Sequence, residues 1–161
     1  MKNLIEGLLV FIVLICVACS GGKRPGSPKI LVFSKTEGFV HQSIPDGIAA
    51  IQKLGSENGF EVDTTKNAAL FTEDNLAQYA AVVFLSTTGD VLNNNQEAAF
   101  ERYIQSGGGY AGVHAATDTE YKWSWYGRLV GAYFQSHPTN QEADFIVKDN
   151  THPSTAHMDL G

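Results

Sequence analysis

The sequence has two cysteines, Cys16 and Cys19, and none after residue 19. The remainder of the chain therefore cannot form a disulfide, bind a metal through thiolates or use a cysteine nucleophile. Basic charge is also scarce: 11 Lys and Arg stand against 17 Asp and Glu, a net −6, which argues against nonspecific nucleic-acid binding. Gly-x-Ser-x-Gly, the elbow of serine hydrolases, does not occur. Neither does the phosphate-binding Gly-x-x-x-x-Gly-Lys pattern, and there is no convincing dinucleotide fingerprint. Internal repeats and low-complexity tracts are absent, and the length suits one domain.

The one long apolar run is at the start. Lys2 gives a short positive head, and Leu4 to Ala18 is apolar apart from Glu6 and Gly7. The run is too short for a comfortable membrane span and has the form of a signal-peptide core, the competing reading being a buried helix. Residues 20–28, rich in Gly, Ser and Pro, read as a flexible linker. Ile15-Cys16-Val17-Ala18-Cys19-Ser20 resembles a bacterial lipoprotein signal, with Cys16 where Leu is usual and Cys19 as the residue to be lipidated. The division expected is a leader over 1–19, the linker, and a domain over 29–161. Export to the bacterial cell envelope follows, periplasmic or outer-surface, with an N-terminal lipid holding the domain to a membrane that it does not span.

The domain alternates strand and helix patterns. Ile30 to Phe33 and Ala80 to Leu85 are apolar throughout and read as strands buried on both faces. Phe60 to Asp63 reads as a short strand between them. Ser43 is placed to cap a helix with Pro45 and Asp46 in its first turn; Ile44, Ile48, Ile51 and Leu54 form its buried face, and Asn58-Gly59 ends it. Thr72 opens a short helix, and Asn93 with Gln96 forms a capping box ahead of Ala99, Phe100, Tyr103 and Ile104. This order implies a mostly parallel sheet with right-handed crossovers. Such a sheet gathers the loops 34–43, 86–93 and 114–118 at one edge, where ligands bind.

The most informative stretch runs from Ser106-Gly107-Gly108-Gly109 through Tyr110 to Val113 and His114-Ala115-Ala116-Thr117-Asp118. Glycines permit a tight reversal, Tyr110 to Val113 reads as a buried strand, and small residues flank His114 at its end. That setting suits a sharp strand-to-helix elbow presenting a working side chain; the competing reading of His114 is a core histidine bonded to a backbone carbonyl. His41 and His137 join it as candidates, each with a loop histidine bonding backbone as its alternative, and Glu37 and Asp118 occupy the same loops. Imidazoles with a carboxylate suit acid–base work, with His114, His41, Asp118 and Glu37 as the catalytic set. They equally suit a divalent metal such as zinc on His41, His114 and His137, although no His-x-x-x-His spacing marks one. Trp123, Trp125 and Tyr126 offer faces for a sugar ring, or else ordinary core packing. Ala143 to Val147 alternates like an added strand, and Asn150 to Pro153, with His152, reads as a turn. His157 is uninformative.

Three ordered motifs carry a family resemblance. Residues 30–41, Gly107-Gly108-Gly109-Tyr110-Ala111-Gly112-Val113-His114 and Gly131-Ala132-Tyr133-Phe134-Gln135-Ser136-His137-Pro138 together resemble the ThuA-like (trehalose utilisation) family, over nearly everything from Lys29 onward. The resemblance implies a flavodoxin-like three-layer α/β sandwich similar to class I glutamine amidotransferases. It lacks their catalytic cysteine, so amidotransferase activity is not expected. It also implies a role with trehalose or related sugars, plausibly oxidised (keto) glycosides. His152-Pro153-Ser154-Thr155 resembles a point from which further strands and helices normally follow, so the domain is expected to be incomplete at its C-terminal end. Two functions are consistent with this reading. One is an exported sugar-processing enzyme, a hydrolase or lyase of glycosides. The other is a noncatalytic carbohydrate-binding lipoprotein.

Overall fold

The computed structural model describes residues 26–158. The expected leader, the lipidation residue Cys19 and most of the linker lie outside the described residues. Strands β1 (Lys29–Phe33), β2 (Glu61–Thr65), β3 (Ala81–Leu85) and β4 (Gly109–Val113) form one sheet in the order β2-β1-β3-β4. Every pairing is parallel, with Ile30 opposite Val62 and Ala81, and Leu85 opposite Val113. Helices α1 (Ile44–Asn58), α2 (Glu73–Leu76), α3 (Asn94–Gln105) and α4 (Ser124–Val130) connect or follow the strands.

Side chains alternate across a strand, and here both faces are apolar. Leu31, Phe33, Val82 and Phe84 join Phe71, Leu76, Phe100, Tyr103 and Tyr126 in the larger core. Val32, Val83 and Leu85 face the other way and meet Ile48 and Ile51 of α1. The sheet is thus the middle of three layers. In the larger core Phe84 stacks on Phe100 at 5.3 Å between ring centroids and on Tyr126 at 5.6 Å. Such rings, removed from water, supply most of the burial energy, each about 1.5–3 kcal/mol.

The capping box forms as expected: Asn93 Oδ1 accepts from the amides of Asn95 and Gln96, and Gln96 Oε1 accepts from the Asn93 amide. Thr72 caps α2 by accepting from the Asn75 amide. Ser43 stands at the N-cap of α1, but its side chain makes no cap bond because its backbone is already helical (φ −75°, ψ −4°). Leu54 is 51% exposed, and the last turn of α1 meets the sheet instead through Gly55, which is buried against Phe60 and Val62. The second strand begins at Glu61, one residue later than expected. Of the three glycines that lead into β4, 107 to 109, only Gly107 takes a positive φ (+100°). Gly108 serves a different need, since a Cβ there would stand 2.3 Å from the Tyr103 ring.

Two expectations fail. Among the described residues β4 is an edge strand of the sheet, and Ala111, Gly112 and Val113 are exposed rather than buried. Residues 143–147 form no strand, and Phe145 is 94% exposed.

Candidate functional site

The three loops beyond the strand ends are stitched together by continued parallel pairing. Thr36 bridges to Thr88, and Gly89 to Thr119. The Glu37 amide donates to the Thr88 carbonyl at 2.8 Å, and the Gly89 amide to the Asp118 carbonyl at 2.8 Å. Thr88 Oγ1 donates to the Phe39 carbonyl at 2.9 Å. The buried hydroxyls of Thr87 and Thr119 meet at 2.9 Å. Loops far apart in sequence thereby become one rigid rim.

His114 sits at φ +55°, a left-handed backbone that a residue with a Cβ adopts only when its surroundings impose it. Here the turn is imposed from below. Tyr126 Oη donates to the Ala116 carbonyl at 2.7 Å. That uses its one proton, so Tyr110 Oη, at 2.8 Å, donates to Tyr126 in turn. Burial pushes the Tyr110 phenol up to about 12 and Tyr126 higher still, so both stay protonated. Gly112 leaves room for this pair: a Cβ would lie 2.8 Å from Tyr110 Oη and 3.1 Å from Ala116 Cβ. The elbow inferred from small flanking residues is therefore present. His114 is exposed, which removes the core-histidine reading.

A cavity of about 440 Å³ opens at this rim, lined by Phe39, His41, His114, Ala115, Thr117, Asp118, Phe134 and His137. The His41 and His114 rings meet edge to face at 4.4 Å, and Phe39 packs edge to face on His41 at 4.9 Å. Asp118 Oδ1 accepts from Tyr121 Oη at 2.6 Å. His137 Nδ1 lies 3.0 Å from the Pro138 carbonyl. A carbonyl only accepts, so Nδ1 carries a proton and donates it there. Two imidazoles in contact beside a carboxylate can relay a proton and bind hydroxyls.

The structure thus brings His41, His114, Asp118 and His137 to one cavity and leaves out the other candidates. Glu37 is exposed, does not line the cavity, and pairs with Lys35 at 2.9 Å. Tyr126 is fully buried, while Trp123 and Trp125, stacked on each other at 5.0 Å, pack against the larger core. Burial takes Tyr126 out of the sugar-stacking role expected of these three, while Trp123 and Trp125, partly buried, meet Phe100 edge to face and do not line the cavity. Among the described residues no group of three or more His, Cys, Asp or Glu is placed to hold a metal ion. Of the three histidines expected to hold zinc, His41 and His114 meet edge to face and His137 packs near Phe134.

Three residues of the region went unread in the sequence. Phe39 and Phe134, 69% and 39% exposed, supply the aromatic lining that was assigned to the tryptophans. Their signal was position alone, each four or fewer residues from a candidate histidine. Glu120 is 2% exposed, at φ +55°, and accepts from the amides of Val91 and Leu92 at 2.8 and 2.7 Å. Burial, against those two amides, raises its carboxyl to about 7. Nothing in the local sequence separates it from a surface glutamate.

A family model described as ThuA, trehalose utilisation, matches residues 29–160. Among solved structures the chain is similar to a ThuA-like protein from Bacteroides uniformis, with 21% identity and a TM-score of 0.66. The match covers 88% of this chain and 60% of that one, so the chain spans less than two thirds of that protein's length. No curated protein matches the chain.

Proposed function

The chain belongs to the ThuA family, trehalose utilisation, and on that premise we propose that the cavity at the elbow takes a sugar related to trehalose or a keto derivative of one. The observation that carries this reading is the contact of His41 and His114, 4.4 Å between centroids, in one cavity with Asp118. In the reading as an exported hydrolase or lyase of glycosides, His114 is the acid–base group nearest the reacting carbon. His41 exchanges the proton with it, and Asp118 accepts a sugar hydroxyl. The cavity volume lies within the ordinary range for small-ligand sites. The apolar faces of Phe39 and Phe134 suit the C–H faces of a sugar ring. A test is turnover of trehalose, other glycosides and their keto derivatives by the parent and by His114→Ala. Loss of turnover in a folded variant agrees, and retained turnover contradicts the reading.

The exposed Phe39 and Phe134 also favour a second reading, a carbohydrate-binding lipoprotein without catalysis. In that case no glycoside turns over, and Phe134→Ala weakens sugar binding while His114→Ala weakens it less. For location, the apolar run to Ala18 and the Ala18-Cys19 pair support export and lipid attachment at Cys19. Intact mass after expression in a bacterium tests this. A chain starting at Cys19 with added acyl groups agrees, and an unmodified chain that keeps residues 1–18 contradicts.

A further inference from the structure

We infer that Tyr121 is a positioning residue of the histidine cavity: its hydroxyl sets Asp118 to receive a sugar hydroxyl and ties down the wall that carries Phe134 and His137. The inference rests on the cavity being the sugar site. Tyr121 Oη reaches Asp118 Oδ1 at 2.6 Å and the Phe134 carbonyl at 2.8 Å. Both partners only accept, so one phenolic proton is shared between them and links the two sides. The first distance is that of a charge-assisted O–H to carboxylate bond, which orients as well as attracts. It occupies Oδ1. Among the described residues Asp118 Oδ2 takes no side-chain hydrogen bond, and it is the oxygen left to accept from a ligand hydroxyl.

The wall is otherwise lightly held. It leaves α4 through Gly131 at φ +85°, and the Phe134 amide donates to the Thr117 carbonyl at 3.0 Å. The Tyr121 ring stacks on Tyr133 at 5.1 Å. Tyr133 Oη in turn lies 2.9 Å from the Glu120 carbonyl and 2.8 Å from that of Trp123, and so fixes the platform on which Tyr121 rests. Partial burial, then the neighbouring Asp118 carboxylate, push the Tyr121 phenol up to about 12, so it remains a donor at neutral pH.

Tyr121→Phe removes the hydroxyl and keeps the stack. Two measurements on the full chain test the inference. The first is amide hydrogen exchange. Exchange of the Phe134 amide is expected to rise about tenfold, with no change at Leu31 and Val83 in the sheet. A uniform rise would mean general destabilisation and would overturn the assignment, as would an unchanged Phe134 amide. The second is calorimetric titration with trehalose. Tyr121→Phe and Asp118→Asn are each expected to weaken binding about tenfold, and the double variant by less than the product of the two, because one acts through the other. Independent, multiplying losses would overturn the link through Asp118. If the parent chain does not bind trehalose, the proposed substrate class fails while the exchange result still decides the role of Tyr121.

Discussion

Two groups of aromatic residues on this molecule do different work: one that the sequence suggested for sugar stacking packs on the core, and one that it left unread lines the cavity. Trp123, Trp125 and Tyr126 lie in a dense run beside the elbow, and they pack into the larger core. Phe39 and Phe134 stand in irregular segments outside the helices and strands, and they line the cavity. The difference is one of backbone. A run that opens and enters the short helix α4 is carried onto the apolar floor of the sheet, whereas a ring in an irregular segment at the rim has no floor to reach. A dense aromatic run is a better sign of core than of a binding face, even next to a site.

The comparison makes graded predictions. The largest effect belongs to Tyr126→Ala, which empties a fully buried ring site and removes the bond to the Ala116 carbonyl. It should cost about 3–5 kcal/mol in chemical denaturation. A loss below 1 kcal/mol would mean that the ring does not support the core. Next is Glu120. Its carboxyl is raised to about 7 in the fold, so the folded state holds a proton that the unfolded state has released. Its contribution is full below about pH 4.5 and is lost as pH rises through about 7. The Gln variant lacks this titration. Its stability relative to the parent should therefore improve between pH 4.5 and 7.5, by an amount on the order of 3 kcal/mol. A difference that stays flat with pH would contradict the assignment. Asn93→Ala breaks the capping box of α3 and should cost about 1 kcal/mol by the same denaturation assay. Phe39→Ala sits at the other end of the scale. Stability should change by no more than about 0.5 kcal/mol, because the ring is mostly exposed, while sugar binding weakens. A large stability loss there would move Phe39 to the core side of the comparison.

Those outcomes also mark what was legible. β1 and β3 were plain because a doubly covered parallel strand is apolar at every position, and Val32 and Val83 serve one face while Leu31 and Val82 serve the other. The capping box and the elbow were plain because their chemistry is local: Asn93 reaches three residues, and His114 needs small neighbours. The histidine cavity followed from topology, since a parallel sheet leaves its loops at one edge. What sequence did not carry was contact across that edge. Tyr121 to Phe134, and Glu120 to Val91 and Leu92, exist only after the loops meet. The alternation at Ala143 to Val147 misled for the same reason, as a period of two makes a strand only once the segment pairs with a neighbouring ladder. Leu54 kept the helical period, but the sheet meets that end of α1 at Gly55 and leaves Leu54 exposed.

The central claim, that the elbow cavity is the working site, is tested most directly by following the imidazole NMR signals of the full chain as trehalose or its keto derivative is added. The five histidines divide into three that line the cavity and two, His152 and His157, that do not. Shifts confined to His41, His114 and His137 are the expected result. Shifts at His152 and His157 alone, or binding that leaves all five unmoved, would contradict it.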